Sequence, residues 1–179
     1  MTIFLIILSS LLWLVAILTL RGRQIMAPAL SYIALVVLSM ARTKAGYTLV
    51  PVNNTILTAW FCMTLVVTLI VLLQPEPVRR QVRGTTYMTI GAITGLAVGL
   101  LGFSFSKNLS ILYAIMILGV AAGIFCGFLL YTKTPEGKPV GVGSGNFFRY
   151  LLAKGFPTAI TLMQLGVALV IIIAINNLW

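Results

Sequence analysis

The sequence predicts an all-α fold: a polytopic integral membrane bundle of six transmembrane helices with both termini outside. Three observations carry this. The 179 residues are 60% hydrophobic and only 8% charged, against about 25% charged in ordinary soluble domains. The apolar residues fall in runs near the ~20 residues that a helix needs to cross a bilayer. The charges are confined to the gaps between those runs.

The six spans are read as 2–20, 25–41, 54–73, 87–106, 109–131 and 157–178, in one transmembrane domain covering 1–179. The opening run is followed, not preceded, by its basic residues Arg21 and Arg23. It also lacks a small-residue cleavage site, so it is read as a span and not a cleaved signal. The second run is the shortest, and Pro28 near its start marks a first turn or a kink. The 132–156 stretch is the largest polar piece. Its first half is rich in Gly and Pro and is expected to be irregular. Its second half, NFFRYLLAKGF, reads either as a short interfacial helix or as an extension of the last span, with Pro157 arguing for a break between them.

Charge sets the orientation. Arg21, Arg23, Arg79, Arg80, Arg83, Lys133, Lys138, Arg149 and Lys154 occupy the odd-numbered gaps, while Arg42, Lys44 and Lys107 occupy the even ones. Nine against three places the odd gaps in the cytoplasm and the chain in the cell's inner (plasma) membrane. The formal charge of +10 is then a positive-inside signature and not a nucleic-acid footprint. Membrane lipids are the expected partners. Anionic lipid is expected at the inner surface, through Arg79, Arg80, Arg83, Arg149 and Lys154.

Two glycine rows stand out. Gly91, Gly95 and Gly99 lie on one face of the fourth span, and Gly119, Gly123 and Gly127 on one face of the fifth. In hydrocarbon no hydrophobic force drives helices together. Small residues that allow close backbone approach therefore serve as packing surfaces. The pairs 91/127, 95/123 and 99/119 are each symmetric about residue 109, where the polar break SKNLS falls. An antiparallel hairpin with matched glycines is the expectation. The same faces are expected to assemble the chain into a homo- or hetero-oligomer.

Chemistry-bearing groups are scarce. The chain has no Asp and no His, and its two acids, Glu76 and Glu136, lie in separate loops. Proton relays and metal-dependent hydrolysis want buried carboxylates or imidazoles, so no metal, no cofactor and no enzymatic activity are expected. GVGSG lacks the ending of a phosphate-binding loop. Cys62 and Cys126 match no metal or redox spacing and are read as small buried apolar residues that do not pair. Among polar residues in the spans, the lone amide of Gln164 most needs a partner across an interface, whether a helix, a subunit or a ligand. These features favour a non-catalytic subunit or scaffold of a membrane complex. A small transporter or channel for a neutral or lipid-like solute is the alternative, and a lipid-acting enzyme comes third.

Overall fold

A computed structural model of the chain describes residues 2–21, 24–41, 53–74, 83–101 and 109–178. The main elements are α1 (Thr2–Leu20), α2 (Met26–Ser39), α3 (Asn54–Leu72), α4 (Arg83–Leu101), α5 (Leu109–Thr132), a short α6 (Phe147–Tyr150) and α7 (Phe156–Leu178). No strand occurs among the described residues. Five helical stretches are long and apolar enough to cross a membrane: Thr2–Leu20, Asn54–Leu72, Gly84–Leu101, Ser110–Thr132 and Phe147–Ile173. The second apolar run is different. Its helix α2 has 14 residues and so rises about 21 Å, short of a hydrocarbon core of about 30 Å.

Two antiparallel pairs, α1 with α2 and α4 with α5, both pack against α7, which contacts all the other long helices. The core runs through Trp13, Leu35, Met88, Met116, Phe128 and Leu162. Outer faces are apolar too: Ile3, Phe4 and Leu18 of α1 and Leu118 of α5 are each more than 60% exposed. A water-soluble monomer does not carry contiguous apolar surface on that scale, whereas a bilayer solvates it. Cys62 and Cys126 lie on these outer faces, free and exposed, contrary to the buried placement expected of them. Where lipid is the solvent, a small apolar side chain gains little by facing inward.

Pro28 sits in the first turn of α2 and does not break it. Pro157 does not break the last helix either. A wide π turn over Leu151–Gly155 lies directly before it and joins α6 to α7. The π turn relaxes the backbone ladder at the point where proline has no N–H to give. The extension is held by rings. Phe147 and Tyr150 are buried, with centroids 4.9 and 5.5 Å from that of Phe128, and Tyr150 also stacks on Tyr131 at 5.9 Å. NFFRYLLAKGF is therefore the packed N-terminal end of the last span.

Candidate functional site

Most of the buried polar side chains gather around α7. Ser31 of α2 donates to the Thr161 carbonyl at 2.9 Å and accepts from Trp13 Nε1 of α1 at 3.0 Å. Three atoms thus tie three helices. Ser9 adds a second clasp between α1 and α2, donating to the Ala34 carbonyl at 2.9 Å. Three residues beyond Thr161, Gln164 Nε2 donates to Thr64 Oγ1 of α3 at 2.9 Å. Thr64 in turn donates to the Trp60 carbonyl of its own helix at 2.7 Å. Gln24, just ahead of α2, donates to Thr85 Oγ1 of α4 at 2.7 Å. Each of these polar residues is buried.

The amide singled out from sequence thus lies fully buried and joins α7 to α3. The surrounding seam was less visible, because serine and threonine in a membrane helix commonly bond their own backbone. Thr158 and Thr161 do so here, donating to the Lys154 and Pro157 carbonyls. Trp13 could have been found as the one tryptophan placed inside an expected span away from its ends.

The structure brings the two glycine rows together. A Cβ on Gly91 would strike the Gly123 carbonyl, and one on Gly95 the Gly119 carbonyl. The Cα atoms of Gly127 and Gly123 follow, each 3.2 Å from the respective Cβ position. Gly99 meets Ile115 and Met116, while Gly127 meets Tyr87 and Met88. Each glycine therefore sits between two positions of the facing row, about half a turn off the directly opposed arrangement expected. Staggering lets a Cα enter the space beside a carbonyl instead of abutting another Cα. The rows close on each other inside the chain, so these faces are not free to hold another subunit.

Arg149 and Lys154 are placed differently. Arg149 is exposed, whereas Lys154 is only 3% exposed, contrary to its expected place on an anionic-lipid surface. It follows Tyr150 by four residues and shares that residue's inward face, carried there by the ring packing of α6 and the π turn. Arg83 opens α4. Arg79 and Arg80 lie outside the described residues.

A lateral groove of about 530 Å³ runs between α1, α2 and α7. Ile6, Trp13, Ile17, Leu38, Leu165 and Leu169 are among its lining residues. Ser10, its one hydroxyl-bearing residue, donates to the Ile6 carbonyl of its own helix, so the groove wall is hydrocarbon in character. No group of three or more His, Cys, Asp or Glu able to hold a metal occurs among the described residues. The chain matches no protein-family model, and no curated protein or solved structure is significantly similar to it.

Proposed function

We propose that this chain is a six-span protein of the inner (plasma) membrane, with both termini outside, and that it acts as a non-catalytic subunit or scaffold of a membrane complex. One observation carries the reading. Buried polar groups join α1, α2, α3 and α7 to one another, through Trp13–Ser31–Thr161 and Thr64–Gln164. Side chains used this way build a rigid body and leave few groups to act on a substrate. The short α2 is taken as the sixth crossing. It is bonded to α1 and α7 on both sides, and backbone at membrane depth is tolerated where protein surrounds it. Membrane lipid surrounds the outer faces, with anionic headgroups at the basic inner surface.

The groove favours a second reading, a carrier for a lipid-like solute, since its apolar wall suits a hydrocarbon chain. In-cell cross-linking followed by gentle solubilisation and native mass spectrometry separates the two. A subunit is expected in a fixed-stoichiometry assembly and inert in reconstituted vesicles. A chain that remains a monomer under cross-linking and moves fluorescent lipid between leaflets overturns the subunit reading.

A further inference from the structure

Gln164 is completely buried, and its Oε1 has no hydrogen-bond donor among the described residues. Leaving a buried acceptor unmet is costly, and the low dielectric of a membrane core does not soften that. The neighbouring hydroxyls cannot help. Thr64 gives its hydrogen to the Trp60 carbonyl, Ser31 to Thr161, Thr161 to Pro157 and Thr158 to Lys154. Trp13 gives its indole hydrogen to Ser31. Reversing the amide would set Oε1 against Thr64, whose hydrogen goes to the Trp60 carbonyl, and would cost Nε2 its bond to Thr64.

We propose that Gln164 Oε1 binds one buried water molecule, which completes the junction of α3 and α7. Water supplies the missing donor at the smallest size, and buried waters typically sit where polar groups lack partners. A second partner is at hand. A hydroxyl oxygen has two acceptor lone pairs, and Thr64 Oγ1, beside the amide, uses one of them toward Gln164 Nε2. The site does not depend on whether the chain is a subunit or a carrier.

A high-resolution crystal structure of the full chain grown in a lipidic mesophase tests this. The expected result is an isolated oxygen peak about 2.8 Å from Gln164 Oε1. In Gln164→Met, which keeps the length and loses the acceptor, the peak should be gone. A protein N–H or O–H on Oε1, or no density at that distance, overturns the proposal. The wild-type map decides the matter alone should the variant fail to fold.

Discussion

A methyl group at Gly95 would meet the backbone carbonyl of Gly119, an atom that cannot swing aside as a side chain can. Gly95→Ala gains about 1 kcal/mol of helix propensity in water, but forced overpacking costs typically 1–3 kcal/mol. The net expectation is destabilisation even for alanine, and more for leucine, read as a loss of unfolding free energy by steric trapping in bilayers. Gly145→Ala, where no atom lies within 4 Å of the new Cβ, should fall within about 0.5 kcal/mol of wild type. Gly84 offers a sharper case. Its Cβ would strike the Tyr150 hydroxyl and come within 2.7 Å of the Tyr131 ring. Gly84→Ala should be strongly destabilising alone and measurably less so in a Tyr150→Phe background. Equal losses in both backgrounds would show that the hydroxyl is not the obstacle. At this scale the glycine spacing was readable, because four-residue periodicity in an apolar run has few other uses. The burial of Lys154 was not. A lysine near a span end reads as surface, and only the ring packing of Phe147 and Tyr150 turns that face inward.

Helix α3 is the most lightly held of the spanning stretches. Only Thr64, Val67 and Val71 are buried along its 19 residues. Val67 and Val71 pack on Ile160 of α7, and the Gln164–Thr64 bond lies alongside. A double-mutant cycle with Gln164→Leu and Thr64→Val should return a coupling of about 0.6 kcal/mol, the usual worth of such a bond between membrane helices. Additive losses would mean that the bond contributes nothing. Element boundaries were legible where composition alone set them. The ends of α1 coincide with the expected 2–20, and α3 ends one residue before the expected 73. They were not legible where tertiary contacts decide. α4 starts at Arg83, four residues ahead of expectation, because Gly84 seats against Tyr150 and Thr85 meets Gln24. The last helix likewise reaches back through residues that composition assigns to a loop.

For the whole molecule, the all-helical, membrane-embedded class was legible because low charge and long apolar runs leave few alternatives. The packing order was not, since every helix is apolar on all sides and no amphipathic face says which side turns inward. Orientation is testable directly. With Cys62 and Cys126 replaced by alanine, a cysteine added after Trp179 should react with an impermeant maleimide in intact cells. Reaction only after lysis places the termini inside. Replacing Arg79, Arg80, Arg83 and Arg149 by alanine should weaken binding to anionic vesicles by about 1 kcal/mol per residue at low salt. Unchanged binding assigns those charges to orientation alone.

The central position of α7 bears on how the protein is made. Within the stretch Phe147–Ile173, 61% of the most apolar window is buried, against 17% for α3 and 22% for α1. Yet α7 follows the other helices in the chain. While the ribosome is still translating, the glycine-lined hairpin can close unaided, since both its halves have already emerged. α1 and α2 can also pair early, through Ser9–Ala34 and Trp13–Ser31, but Ser31 must wait for the Thr161 carbonyl and α3 for Gln164. Synthesis stopped after Thr132 should leave two paired helix units and an unanchored α3, the kind of intermediate that membrane proteases remove.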